Sequence, residues 1–321
     1  MKVKVSAPGK LMLFGEHAVV YGHPCIVTAV DQRLGLKAET IDNQILQLIA
    51  PDVGIDNYQK PIKQLGKGEI QKEAKWVEIS VKNFAKKYPL KSGVNIQTQS
   101  QFKSTFGFGS SSATAVCTIK ALARLFNKNL TNKQIFELSY KTVLDIQGVG
   151  SGFDVAAAIW GGTLLFETGG VVIKPIKTKP LPLVVGYSEV KADTATIVKN
   201  IAQKMKKYPH IFKDIYNSIE NLVLLAEKAT AKKDLKKLGE LMDINQGYLE
   251  TIGVSSQKLS SMVYSARLSG AFGAKLSGAG IGDCMIALAP KNRLAVEKAI
   301  EKAGGQVLKV KTNAQGVKIE N

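Results

Sequence analysis

Cysteine is scarce in this chain of 321 residues, and the few that occur lie far apart. The three cysteines, Cys25, Cys117 and Cys284, are odd in number and match no metal-ligand spacing. These features exclude the disulfide framework of a small secreted protein and a cysteine-based metal site. A reducing cytoplasm is the simplest compartment for such a chain.

Long apolar runs are missing as well. Runs such as 181–185 and 285–289 are far shorter than the roughly 20 residues that a membrane-spanning helix needs. The first eight residues alternate like a strand and lack the apolar core of a signal peptide. We therefore expect no membrane association. The length of the chain is typical of a globular protein with one large or two ordinary domains.

Arginine is the third scarcity, despite a net charge of +18. Only four of the 44 basic residues are arginine, namely Arg33, Arg124, Arg267 and Arg293. Bidentate reading of bases and phosphates favours arginine over lysine. The charge therefore indicates solvated lysine faces that attract small anions, and we expect no specific nucleic-acid partner.

Hydrophobic periodicity divides the chain near residue 180. Before it, we predict strands at 2–6, 10–14, 25–30, 34–39 and 91–102, helices at 73–87, 113–126 and 132–146, and a hairpin at 163–176. Thr131 is a suitable N-cap for the third helix. After it, we predict helices at 194–207, 210–231, 235–248, 256–269 and 292–303, with strands at 181–187, 274–276, 283–289 and 306–312. The pattern indicates an α+β fold with domains at 1–180 and 181–321.

One loop combines glycines with small hydroxylic residues directly before an apolar helix. It contains Gly107, Gly109, Ser110, Ser111 and Ser112. Glycines let the backbone approach a ligand closely, and the start of a helix attracts anions through its unpaired N–H groups. A flexible linker is the alternative, but an apolar helix rarely follows a linker at once. The loop therefore favours a phosphate site, although it is not a Walker A motif.

Two further glycine-bearing stretches lie far from this loop, at 7–22 and 274–284. The first reads APGKLMLFGEHAVVYG, and the second reads AKLSGAGIGDC. Together with the loop GFGSSS, in this order, they resemble the signatures of the GHMP kinase superfamily, and within it those of mevalonate kinases. The resemblance spans most of residues 1–290.

The resemblance implies a two-domain GHMP kinase fold. Its N-terminal domain is like domain 2 of ribosomal protein S5, and its C-terminal domain is ferredoxin-like. It also implies ATP and Mg²⁺ as cofactors, with the phosphates held by the loop above and by Gly278, Ala279 and Gly280. The metal-contacting hydroxyl maps to Ser111. The fold is compatible with a homodimer.

The resemblance further assigns roles at the reacting hydroxyl and in the substrate pocket. Asp154 corresponds to the proposed base and Lys10 to its cationic neighbour; local sequence alone allows a helix N-cap for the first and a solvated strand lysine for the second. Glu16, His17 and Thr194 correspond to substrate-pocket residues, and Thr196 competes with Thr194.

The implied reaction is phosphorylation of the 5-hydroxyl of (R)-mevalonate. A phosphomevalonate kinase, another GHMP small-molecule kinase, and a non-catalytic nucleotide- or nucleic-acid-binding protein are the alternatives.

Two positions depart from the mevalonate kinase pattern. Val143 stands where a Mg²⁺-binding glutamate is usual, eleven residues before Asp154. Either Ser111 and the phosphates hold the metal alone, or Asp145 or another carboxylate contributes. Asp283 stands where glycine is common, and the resulting Gly-Asp-Cys is more like phosphomevalonate kinases.

Overall fold

The computed structural model describes residues 1–320. Its strands are β1 (Lys2–Phe14), β2 (Cys25–Ile41), β3 (Ile45–Ala50), β4 (Ile55–Pro61), β5 (Gly93–Ser100), β6 (Thr163–Phe166), β7 (Ile173–Pro175), β8 (Leu183–Tyr187), β9 (Gly273–Ser277), β10 (Cys284–Leu288), β11 (Gln306–Leu308) and β12 (Lys318–Glu320). Its α-helices are α1 (Lys75–Lys87), α2 (Ser110–Leu125), α3 (Asn132–Gln147), α4 (Phe153–Trp160), α5 (Thr194–Lys207), α6 (Pro209–Lys232), α7 (Leu235–Thr251), α8 (Gln257–Leu268) and α9 (Arg293–Lys302). None of the helices within residues 1–320 has the length and apolar character needed to cross a membrane.

The larger sheet has eight strands and is built around the long hairpin-like pair β1 and β2. Its main order is β12-β1-β2-β5-β3-β4, and β6 and β7 extend it from β2. The β3–β5 pair is parallel, and the other pairs are antiparallel. Helices α2 and α4 pack on β1 and β2. Residues 107–112, which carry the predicted phosphate site and are called the phosphate loop below, therefore lie beside β1.

The smaller sheet has the order β11-β8-β10-β9 and is antiparallel throughout. Helix α8 precedes β9, and α9 connects β10 to β11. Helices thus lie between β8 and β9 and between β10 and β11. This β-α-β-β-α-β plan is the ferredoxin-like arrangement. The expected α+β fold is thus confirmed.

Side-chain caps begin several helices, and the cap that the sequence predicts, Thr131, is among them. Thr131 and Gln134 form a reciprocal capping box at α3, which satisfies two backbone donors at once. The side chains of Asp193, Asp234 and Ser256 each accept one backbone N–H at the start of α5, α7 and α8, without the reciprocal bond.

The two first strands are longer than the sequence pattern indicates. Residues 2–14 form one strand, because Pro8 and Gly9 remain paired with β2 across a bulge where Pro8 faces Arg33 and Gly9 faces Val30. Two residues, Asp31 and Gln32, are left unpaired by the bulge, and Asp31 is bonded through its backbone N–H and its carboxylate to the backbone of Lys311. The sequence pattern predicts a break at Pro8 and Gly9, but tertiary contacts keep β1 continuous through these residues.

The end of the chain returns to the larger sheet, where β12 pairs with β1. Arg33 fixes this return: its guanidinium donates to Ser6 and to the carbonyl oxygens of Gln315 and Gly316 at 2.7–2.9 Å. The short strand β12 is absent from the sequence prediction. The division into domains at residue 180 stays a prediction.

A fully buried ion pair joins the end of β1 to the smaller sheet. Lys275 in β9 donates to Glu16 and also to its neighbour's carbonyl, Leu276 O, at 2.6 Å. Beside it, the Ser277 hydroxyl donates to Met12 O at 2.8 Å and accepts from Met12 N at 3.0 Å. Burial raises the pKa of Glu16 and lowers the pKa of Lys275, while each partner opposes the shift of the other. Neither charge is therefore tolerated at this position without its partner.

We predict that Lys275→Met lowers the free energy of unfolding by about 3–5 kcal/mol, because it leaves the Glu16 carboxylate buried and unpaired. The double variant with Glu16→Gln removes both charges and should recover most of that loss. Urea denaturation of both single variants and the double variant measures the coupling.

The exposed pair Lys2–Glu39 provides the control. Lys2→Met should change the free energy of unfolding by less than about 1 kcal/mol. Additive effects of the two core substitutions would contradict the prediction.

Candidate active site

A buried lysine and a partly open carboxylate form the centre of the candidate site. Lys10 in β1 is 8% exposed, and its Nζ lies 3.1 Å from Oδ1 of Asp154. The same Nζ stands 5.1 Å from the ring centroid of Phe153. Asp154 lies in the first turn of α4, after Gly152 at φ +93°, and a third of its side chain is exposed. Burial excludes the solvated strand lysine considered above.

The phosphate loop lies directly against this pair. Lys10 N donates to Phe108 O at 3.0 Å, which joins the loop to β1. Gly107 and Gly109 adopt φ values of +72° and +75°, which favour glycine. Helix α2 starts at Ser110, three residues earlier than predicted, and within residues 1–320 no side chain caps it. Its first-turn amides and positive dipole end are suited to binding an anion.

The absence of a side chain at Gly109 keeps the space between the loop and the ion pair open. A Cβ there would lie 3.3 Å from Cε and Cγ of Lys10 and 3.5 Å from Oδ1 of Asp154. The start of α2, the cation and the carboxylate thus meet at one point. A phosphoryl group at this point has hydrogen-bond donors, a cation and a proton acceptor within reach.

The three serines of the loop are not equivalent. Ser110 and Ser111 are half-buried, whereas Ser112 is buried at 6% exposure. The side chain of Ser112 therefore faces the interior of the protein. This difference favours Ser111 over Ser112 as the hydroxyl that faces a metal.

The two positions considered for a metal carboxylate on α3 do not reach this centre. Val143 is buried, and its Cγ1 lies 3.0 Å from a Cβ placed on Gly150. The Asp145 carboxylate accepts from Lys141 Nζ at 2.8 Å and from Asn83 Nδ2 at 3.0 Å. It lines a separate groove of about 720 Å³ between α3 and the β6–β7 hairpin. Asp145 is therefore engaged elsewhere. Hydroxyl and carboxylate oxygens, which this centre offers, are ligands that suit Mg²⁺. The unpaired amides at the start of α2 suit the phosphate groups that would also bind the metal.

The predicted substrate residues Glu16 and His17 take different places. Glu16 is completely buried against Lys275. His17 is also buried, adopts φ +61°, and donates from Nε2 to Ala279 O at 2.9 Å. Burial lowers the pKa of His17, which favours the neutral ring. This contact brings together the turn after β1 and the loop between β9 and β10.

That loop contains the predicted phosphate residues Gly278, Ala279 and Gly280. Gly278 and Ala279 are half-buried, and Gly280 is buried. A Cβ on Gly280 would lie 2.1 Å from Val254 O. Only glycine therefore allows the backbone to pass there.

Thr194 is the first residue of α5 and is exposed. Its competitor Thr196 donates its hydroxyl to Asp193 at 2.7 Å. The hydroxyl of Thr196 is therefore engaged in capping the helix, and this favours Thr194 as the ligand contact.

Two residues of the site are missing from the sequence assignment. Lys275 is fully buried beside Glu16, and Asp283 reaches the phosphate loop. A lysine between Ala274 and Leu276 in an apolar strand is a signal of a buried ion pair. The neighbours of Asp283 carry no comparable signal, because its contacts lie far away in sequence.

Comparisons with known proteins agree with this geometry. The family descriptions "GHMP kinases N terminal domain" and "GHMP kinases C terminal" match residues 75–162 and 226–307. The mevalonate kinases of Thermococcus sibiricus and Pyrococcus abyssi are 36% and 35% identical, over 100% and 99% of this chain and 99% and 98% of theirs. The crystal structure of the Methanococcus jannaschii mevalonate kinase superposes with a TM-score of 0.82 at 25% identity, covering 98% of this chain and 99% of that one. The Leishmania (L. major) mevalonate kinase in complex with R-mevalonate gives a TM-score of 0.80 at 27% identity, covering 98% and 96%. The chain therefore belongs to the GHMP kinase family.

Proposed function

We propose that the chain transfers the γ-phosphoryl group of ATP to the 5-hydroxyl of (R)-mevalonate. The observation that carries this proposal is the Lys10–Asp154 pair, which faces the uncapped start of α2 across Gly109. The full-length relatives named mevalonate kinase support the choice of substrate.

The residues around α2 fit the phosphates of ATP and a Mg²⁺ ion. The amides of Ser110, Ser111 and Ser112 would hold the phosphates, and Gly278–Gly280 would approach them from the smaller sheet. Ser111 would contribute a hydroxyl to the metal. Bound Mg²⁺ supplies neutralisation of the charge that develops on the phosphates during transfer.

Asp154 and Lys10 would act on the hydroxyl of the substrate. Asp154 would accept the hydroxyl proton as the oxygen attacks. Lys10 would stabilise the developing negative charge on that oxygen and on the transferred group. The ion pair between them fixes both side chains before substrate arrives, so little reorganisation is required.

The substrate would lie between the turn after β1 and the start of α5. His17 and Thr194 would contact it from these two sides. Glu16 would form its part of the pocket through the ion pair with Lys275, which holds the turn that carries His17. The pocket thus depends on residues from both sheets.

We predict that Asp154→Asn lowers kcat by about 10²–10⁴-fold, because a proton acceptor is lost while the side-chain volume is kept. Lys10→Met should lower kcat as well, since it removes the neighbouring cation. Steady-state kinetics with saturating ATP and mevalonate measures both. Asp145→Asn is the matched control and should retain near-normal kcat. Near-normal turnover in Asp154→Asn would eliminate the assignment of the base.

We also predict that Gly109→Ala inactivates the enzyme, whereas Gly148→Ala does not. The two glycines have nearly the same φ, +75° and +74°, and ψ values of +35° and −25°, so alanine costs about 1–2 kcal/mol at Gly109 and at least as much at Gly148. A Cβ at Gly109 would enter the space beside Lys10 and Asp154, whereas a Cβ at Gly148 meets nothing within 4 Å. Thermal unfolding and kcat/KM separate stability from activity. Equal activity of the two variants would show that phosphoryl transfer does not occur in the space between Gly109, Lys10 and Asp154.

The substrate assignment predicts which alcohol stimulates ATP turnover. In a coupled ADP-release assay with Mg²⁺, mevalonate should give the highest kcat/KM among mevalonate, its 5-phosphate and other alcohols used by small-molecule kinases. Preference for the 5-phosphate would identify a phosphomevalonate kinase. Salt-sensitive DNA binding without ADP release on any alcohol would favour a non-catalytic protein.

A further inference from the structure

Asp283 is bound on one side to the segment that leads into α5. Its backbone N–H donates to Val190 O at 2.7 Å, and its carbonyl accepts from Ser188 N at 2.9 Å. Its side-chain Oδ1 accepts from Ala192 N at 2.9 Å. These three bonds fix residues 188–192, directly before Thr194.

On the other side, Asp283 packs against the phosphate loop. A Cβ placed on Gly107 would lie 2.6 Å from Oδ2 of Asp283 and 2.8 Å from its Cγ. The next residue, Cys284, donates from Sγ to Phe106 O at 3.2 Å. The dipeptide Asp283-Cys284 is thus a physical link between residues 188–192 and residues 106–107.

The backbone of Asp283 makes an aspartate costly at this position. Its φ is +56°, in the left-handed region where glycine is the residue with least strain. The side chain is 9% exposed, so a carboxylate is also removed from water. The hydrogen bond from Ala192 N to Oδ1 offsets part of these costs, and both this bond and the close approach to Gly107 depend on the side chain.

We propose that Asp283 is a positioning residue that couples residues 188–194 to the phosphate loop, so that nucleotide and alcohol bind cooperatively. The inference depends on the proposed function, which places the alcohol at Thr194 and the phosphates at residues 107–112. A ligand that orders one segment also orders the other through Asp283, and the second ligand then binds with a smaller loss of entropy. The effect must be reciprocal, because coupling free energy is shared by both ligands.

Two variants and one control test this role. Asp283→Gly removes both side-chain contacts and suits the backbone conformation. Asp283→Asn keeps an oxygen acceptor and the side-chain shape but removes the charge. Lys233→Gly places glycine at a similar φ, +58°, at the exposed end of α6, far from these contacts in the chain.

Calorimetry measures the Kd of a non-hydrolysable ATP analogue with Mg²⁺, in the absence and presence of mevalonate. We expect mevalonate to tighten nucleotide binding by about fivefold or more in the unaltered enzyme, in Asp283→Asn and in Lys233→Gly. In Asp283→Gly the ratio should fall, because both side-chain contacts are lost while the backbone bonds to Ser188 and Val190 and the bond from Cys284 to Phe106 remain. An unchanged ratio in Asp283→Gly, or no coupling in the unaltered enzyme, would overturn the proposal. Loss of coupling in Asp283→Asn as well would also contradict the positioning role. It would show that the charge of Asp283 is what matters, for example by holding the metal.

Hydrogen exchange of the ligand-free protein tests the link without any substrate. Asp283→Gly should accelerate amide exchange in both residues 106–109 and residues 189–194, whereas Asp283→Asn and Lys233→Gly should not. Unchanged exchange in Asp283→Gly refutes the link even when the enzyme phosphorylates mevalonate. If the unaltered enzyme binds nucleotide but not mevalonate, the proposed function fails, and the exchange experiment decides on the link.

Discussion

The ion pair between Glu16 and Lys275 is the contact on which the site depends, because it places a charged group from each sheet where water is absent. Burial of two charges is costly unless both are present and well oriented. The relative position of the end of β1 and of β9 is therefore restricted to arrangements that keep this pair. The Ser277 hydroxyl adds a donor and an acceptor to the backbone of Met12. Together they hold the turn with His17 beside Ala279, so the position of the proposed substrate side follows from a contact within the core.

The nucleotide side depends on a different constraint, the close approach of backbone to side chain. Lys10 and Asp154 come from elements separated by more than a hundred residues, and the loop before α2 passes beside the pair, where Gly109 has no Cβ. The helix that follows has no cap from a side chain within residues 1–320, unlike α3, α5, α7 and α8. A helix start with unpaired amides beside a buried cation gains stability from an anion. A phosphate at this helix start would therefore satisfy amides that no side chain caps.

Most of the fold was predictable from the sequence because its signals are local. Thr131 and Gln134 mark the start of α3, and hydrophobic periodicity locates the helices and strands of the second half to within a few residues. The errors arise where distant contacts override local preference. Pro8 and Gly9 indicate a break, yet pairing with β2 continues through them. Ser110 resembles a loop residue, yet α2 includes it. The three residues of β12 have no pattern of their own, and Arg33 secures them to β1 from far away in sequence.

The same reasoning separates what motifs can and cannot show about the site. Glycines, Lys10, Glu16 and Asp154 were predictable because each stands in a recognisable stretch, whereas the partners of Glu16 and Asp283 emerge only in three dimensions. Val143 is the opposite case, because here the sequence motif lacks a functional residue that is usual at this position. The loss of a carboxylate at that position leaves α3 without an acidic group directed at the phosphates, because Asp145 is neutralised by Lys141 and bonded to Asn83. If Mg²⁺ binds as proposed above, it would depend mainly on the phosphates and on the Ser111 hydroxyl. A metal held mainly by its nucleotide would enter and leave with it, so residues 107–112, and with them the close approach of Asp283 to Gly107, would control when the site is complete.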